Sequence, residues 1–171
     1  MKEKSEDKLI EMEISALAMD PTINAPLVIL REKSGERMLP IWIGLLEAGA
    51  IAAKLEGVNY SRPMTHDLIM SIIKSLGGKI DRIVVSDLVQ STFYARIFIT
   101  TGDDQYEFDS RPSDSIAMAL RADVPIFVDV KVIDKSQKID LNEGKGVLTD
   151  KDKMLEILEN MDPEDFGKYK M

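Results

Sequence analysis

Six consecutive residues, Asp109-Ser110-Arg111-Pro112-Ser113-Asp114, set two carboxylates, two hydroxyls and a guanidinium just ahead of the apolar run Ile116 to Leu120. Such a group can hold a cation on its oxygens or an anion on its arginine. The same residue types also begin helices, since serine and aspartate oxygens cap free amides, proline suits the first turn and an early carboxylate complements the helix dipole. Capping accounts for Ser110, Pro112, Ser113 and Asp114 but leaves Asp109 and Arg111 without a role. The triplet Ser-Arg-Pro appears twice, at Ser61 to Pro63 and at Ser110 to Pro112, each time just before a predicted helix. In the first copy, "SRPMTHDL", Thr65 is the expected cap, Asp67 falls in the first turn, and His66 is either a solvated residue or an acid or base. Glu47 is the only charged residue between Arg37 and Lys54. A carboxylate in so apolar a segment is exposed at a helix end, paired or used, and Arg62 and Arg111 are its natural partners.

Composition narrows the chemistry further. The chain has no cysteine and one histidine, so thiolate nucleophiles, disulfides and sites needing two imidazoles are excluded, and any metal would sit mainly on oxygens. A Ser-His-Asp triad could be built only around His66, and no glycine-rich loop is present to cradle phosphate. The net charge of -8 argues against bulk attraction to nucleic acid. It leaves room for a local basic patch. No run approaches the length of a membrane helix, and the charged start "MKEKSEDK" lacks the apolar segment of a signal peptide, so a cytoplasmic protein is expected.

The elements that must position these residues follow from periodicity. Ile10, Met12, Ile14 and Ala16 alternate with polar neighbours as in a half-buried strand, "PLVILR" is a second strand, and "EKSGER" is a hairpin loop into "MLPIWI". "LLEAGAIAAKLEG" is a slim helix that Gly57 can end. A second helix carries Leu68, Ile69, Ile72, Ile73 and Leu76 as one apolar stripe and stops at Gly77-Gly78. The next block repeats the first: strands "KIDRIVVSDLV", "TFYARIFIT" and "YEFD", a loop at "TGDDQ" between the last two, and a helix from near Pro112. A shift of 67 residues lays Gly35 on Gly102, Asp20 on Asp87 and Glu47 on Asp114, which supports an internal duplication.

The expected fold is therefore a single α+β domain of two related three-strand-plus-helix units with a linking helix. A charged extension covers 1–8, the body 9–139, and an acidic C-terminal helical tail 140–171. Residues from Asp134 read as a linker or exposed hairpin, and Thr149 to Met161 as a short amphipathic helix. Sheet-forming blocks without disulfides leave edges that a second copy can cover, so a homodimer is expected.

The segments "LPIWIGLLEAGAIAAKLEG", "RPMTHDLI", "STFYARIFI" and "DSRPSDSIAMALRADVPIFV" resemble the successive motifs of the bifunctional nuclease domain, found in bacteria and in plant defence-related proteins. The resemblance spans roughly Leu9 to Val132, and the closing "MDPEDFGKYKM" is similar to the end of bacterial members. It implies an α+β fold and hydrolysis of phosphodiester bonds in both RNA and DNA, with RNA or single-stranded DNA as the expected substrate. On that footing Glu47, His66, Asp67, Asp109 and Asp114 are the candidate catalytic residues and Arg62, Arg111, Ser110 and Ser113 the candidate substrate-binding ones. Asp109 and Asp114 are the candidate ligands of a Mg²⁺ or Mn²⁺ ion that would activate water and offset charge on the phosphoryl group. The alternative is a non-catalytic domain whose Ser-Arg-Pro segments hold an anionic ligand or a protein partner.

Overall fold

A computed structural model describes residues 9–35 and 37–142. The extension before Leu9 and the helix expected from Thr149 to Met161 lie outside the described residues.

Three antiparallel strands come first: β1 (Leu9–Asp20), β2 (Ala25–Glu32) and β3 (Met38–Trp42). Helices α1 (Leu45–Leu55) and α2 (Thr65–Ser75) follow. Strands β4 (Gly78–Val89), β5 (Thr92–Thr101) and β6 (Asp104–Ser110) then form a second antiparallel set, and α3 (Pro112–Ala122) succeeds it. The chain continues through β7 (Ile126–Asp129) into α4 (Val130–Asn142). Helix α4 occupies the start of the stretch expected to be a linker or hairpin. Val132 and Ile133 at its start are buried, and that apolar anchor carries the polar residues after it into a helix.

All seven strands make one mixed sheet in the order β3-β2-β1-β7-β4-β5-β6. The expectation of one α+β domain holds, with β7 inserted between the two three-strand sets. It pairs antiparallel with β1 and parallel with β4, so β1 and β4 run in opposite senses. That is the relation a two-fold axis normal to the sheet would give. Positions 67 residues apart match across it: Gly35 and Gly102 are both left-handed turn residues, at φ +83° and +60°, and Glu47 and Asp114 are both the third residue of their helix.

The main core runs beneath the helices, with Met12, Val28, Leu30, Ile51, Ile83, Ile116 and Val128 among its buried members, and a smaller cluster forms around Ala18, Leu27 and Ile29 with Trp42 packed on it. The alanines of α1 let it lie close to α3 and β2. Gly57 and Gly77, with φ of +68° and +75°, end α1 and α2 as the sequence indicates. Helix α2 departs from expectation. Of its five-residue stripe only Ile73, together with Met70, packs against the core, while Leu68, Ile69, Ile72 and Leu76 face outward. Periodicity reports an apolar face without saying what covers it.

Candidate functional site

Each of the first three helices carries an acid at its third position: Glu47, Asp67 and Asp114. An acid there answers the unsatisfied N–H groups of the first turn. The three acids are nonetheless put to different uses.

At α3 the residue before the helix is Arg111, and Asp114 folds back onto it. Arg111 Nε donates to Asp114 Oδ2 at 2.7 Å and a terminal nitrogen donates to Oδ1 at 3.2 Å. The other terminal nitrogen reaches across to α1 and donates to Glu47 Oε1 at 2.9 Å. On the far side of Asp114, His66 Nε2 lies 3.1 Å from Oδ1. With the carboxylate ionised, the imidazole is the donor. The result is a continuous chain, Glu47–Arg111–Asp114–His66, drawn from the starts of α1, α2 and α3. Burial works against the charge on Asp114, but Arg111 and His66 outweigh it and hold the carboxyl below its ordinary range. Arg111 itself is 65% exposed, and its bond to Asp114, helped by Glu47, holds it protonated more firmly than usual.

Beside this chain is a cleft of about 270 Å³. Its walls are the end of β3 and start of α1 (Trp42, Gly44, Glu47), the β4–β5 turn (Ser91, Phe93) and the start of α3 (Arg111, Ser113). Gln90 and Ser91 both have positive φ, the signature of the two-residue hairpin turn that brings this wall inward. The indole of Trp42 is held by donating to Asp20 Oδ2 at 3.0 Å. Gly44 has a local reason: a Cβ there would stand 2.1 Å from Glu47 Oε2, so Glu47 can fold over its helix start only because residue 44 lacks a side chain.

Other candidates are placed elsewhere. Asp67 accepts the Met64 N–H at 3.0 Å and Arg121 Nε at 2.6 Å, so both oxygens serve the packing of α2. Burial opposes its charge too, and Arg121 with the Met64 amide outweighs it, leaving the carboxyl below its ordinary range. Met64 is the residue before the helix, and Thr65, the expected cap, is the first helical residue. Asp67 does the capping that threonine could have done. Ser110 bonds to Ser115 across the β6–α3 junction. Ser113 is buried along the cleft wall. Arg62 is exposed on the loop between α1 and α2 and takes part in no ion pair found among the described residues.

Asp109 does not join Asp114. The β5–β6 register sets it opposite Arg96 on the face of Phe98 and Glu107, whereas its neighbours Phe108 and Ser110 lie on the helix side. Strand alternation thus separates by the sheet two carboxylates that are five residues apart. A divalent ion does not fit the residues as arranged: both Asp114 oxygens and one of Glu47 face a guanidinium, which stands where a cation would. Among the described residues no group of three or more His, Asp or Glu is placed to hold a metal ion.

The sequence reading missed Arg121. Its side chain is only 7% exposed and binds Asp67, the Ala50 carbonyl at 3.3 Å and the Ala117 carbonyl at 3.1 Å, tying α1, α2 and α3 together. A basic residue in the last turn of a helix is ordinary dipole complementation. Nothing local marked this one.

Residues 28–140 match the model of the bifunctional nuclease domain. The chain belongs to that family. An uncharacterized protein of Mycobacterium tuberculosis is 37% identical over 162 residues, which is 91% of this chain and 97% of the relative. Bifunctional nuclease 2 of Oryza sativa subsp. japonica is 31% identical over 107 residues, and Bifunctional nuclease 1 of Arabidopsis thaliana 26% over 107 residues. Each of those two matches covers 60% of this chain but 33% of the plant protein, so the likeness to the plant proteins is confined to the shared domain.

Proposed function

We propose that this bifunctional nuclease domain hydrolyses phosphodiester bonds in RNA and single-stranded DNA at the cleft between the starts of α1 and α3. The observation that carries the proposal is Arg111, an exposed guanidinium on the cleft wall whose plane is set from both sides by carboxylates. A guanidinium has five N–H donors, and three are engaged by Glu47 and Asp114, which leaves two for phosphoryl oxygens. The starts of α1 and α3 open on the same cleft and add their partial positive charge.

In the proposed reaction, a water attacks phosphorus and Glu47, beside Arg111, accepts its proton. The bond to the leaving sugar oxygen breaks, and that oxygen takes a proton from solvent. Arg111 offsets the charge that builds on the phosphoryl oxygens. Asp114 holds Arg111 in plane, and His66 positions Asp114. Asp67 acts further out, as a fixture of α2.

The test is cleavage of labelled RNA and single-stranded DNA by purified protein beside Arg111→Gln, each with Mg²⁺, with Mn²⁺ and with chelator. Arg111→Gln is expected to lose at least about 100-fold in rate. Equal activity in both preparations with chelator present would mean a contaminant and would overturn the proposal. Activity that vanishes with chelator and survives Arg111→Gln would instead assign Glu47 and Asp114 to a cation. A second reading, a non-catalytic domain that binds an anion or a protein, draws support from the same guanidinium, already neutralised by two carboxylates. Retention of an oligonucleotide without cleavage under every condition would select it.

A further inference from the structure

The open edge at β6 has features that the site does not use. All of β6 except Ser110 is exposed, and among the described residues no strand pairs with its outer edge. Tyr106 and Phe108 stack on each other, with ring centroids 6.4 Å apart, on the helix side of the sheet. Helix α2 packs against α3 and β4, and its two ends approach the two ends of this hairpin. At one end His66 meets Asp114, directly after β6. At the other, a Cβ built at Gly78 would touch both Ile73 and Thr101, the last residue of β5. The side of α2 that turns toward α3 is polar, with Asp67 on Arg121. The flank turned away carries Leu68, Ile69, Ile72 and Leu76, the last 73% exposed, and none of the helix's residues is fully buried.

These six exposed apolar side chains, two on the edge strand and four on α2, make up one strip. Taking about 200 Å² for a large side chain, their uncovered fractions amount to roughly 600 Å², so two such strips facing each other would remove about 1,200 Å² from water, the lower bound for a stable interface. The opposite edge is different: β3 is short, its three central residues are buried, and Pro40 there offers no N–H for pairing.

We infer that a second copy of this chain covers the strip, with β6 pairing antiparallel to β6 of the partner subunit about a two-fold axis near Glu107. Antiparallel pairing centred there sets Tyr106 beside Phe108 of the partner subunit, an aromatic cross-strand pair on the helix face. The two α2 flanks then close over the junction. The two Glu107 side chains meet on the other face, and each already carries its own counterion, Arg96. The inference is independent of the nuclease reading, since none of these six side chains lines the cleft.

The absence of cysteine makes a direct test possible. Under mild oxidation Glu107→Cys is expected to form a covalent dimer through one symmetric disulfide, while Ile23→Cys, at a more exposed position outside the strip, stays monomeric on a denaturing gel. In sedimentation equilibrium the wild-type chain is expected to be a dimer, with Ile72→Glu weakening association at least about 30-fold. Circular dichroism shows whether that variant is folded. A wild-type chain that sediments as a monomer at its highest soluble concentration overturns the inference. So does a dimer that Ile72→Glu leaves intact and Glu107→Cys fails to trap.

Discussion

Arg111 and Arg121 stand at opposite ends of one helix, each bound to an acid from the third position of a helix, yet one is 65% exposed and the other 7%. Each makes three hydrogen bonds within the protein. The buried arginine directs them to Asp67 and two carbonyls of α1 and α3 where water is excluded, so it is part of the packing, whereas the exposed one opens on a cleft where its remaining donors can meet a ligand. The same ion-pair chemistry serves architecture where water is excluded and serves a ligand where it is not.

Exchange of the two arginines for alanine tests that contrast most severely. Arg121→Ala strands a carboxylate and two carbonyls among three helices and is expected to cost about 3 kcal/mol in urea unfolding. Arg111→Ala, which breaks exposed pairs, should stay within about 1 kcal/mol of wild type while removing cleavage. Equal losses of stability would dissolve the distinction.

A milder form is Arg121→Lys. The point charge of lysine can satisfy Asp67 but cannot reproduce the fork that reaches two carbonyls, and a loss of about 1–2 kcal/mol is expected. Full stability in the lysine variant would show that charge alone matters at that position.

Acid titration sharpens the comparison at the carboxylates. Asp67 and Asp114 are both held below the ordinary aspartate value of 3.8 in the folded chain. A depressed folded value means that the stability contributed by each ion is complete above the unfolded value and is lost as pH falls through the folded one. Unfolding free energy should therefore decline from about pH 5 downward, and Asp67→Asn and Asp114→Asn should each flatten that decline. An unchanged slope in either variant would remove that carboxylate from the network.

The smallest effect is expected at Gly44→Ala. Its φ of -75° suits alanine, so stability should change by no more than about 0.5 kcal/mol. The new Cβ would displace Glu47 from its helix start and from Arg111, and cleavage should fall several-fold. Unaltered cleavage would show that Glu47 need not hold that position.

Much of the fold was legible in the residues. Alternation in Leu9–Asp20 and Gly78–Val89, the turn glycines at 35 and 102, and the proline at the start of α3 are local signals, set by side-chain periodicity and by backbone conformations that few residues adopt. The site was half legible. Glu47 stood out as a lone charge in an apolar segment and Asp114 as an early helix acid, and the structure joins both to Arg111. Alternation from Gln105 to Asp109 puts Asp109 on the polar face of its strand, as the structure has it, but that face is turned away from the start of α3, so the expected meeting with Asp114 does not occur.

What the sequence determined alone is whatever depends on near neighbours along the chain: where strands alternate, where helices begin and end, and which side of an element is apolar. What only the tertiary structure decided depends on distance through space. It inserted β7 between the two three-strand sets, left the outer flank of α2 exposed among the described residues, buried Arg121 and exposed Arg111. The physical reason is that desolvation, which decides whether a charge packs or binds, is a property of the surroundings that packing creates and is not carried by the residue itself.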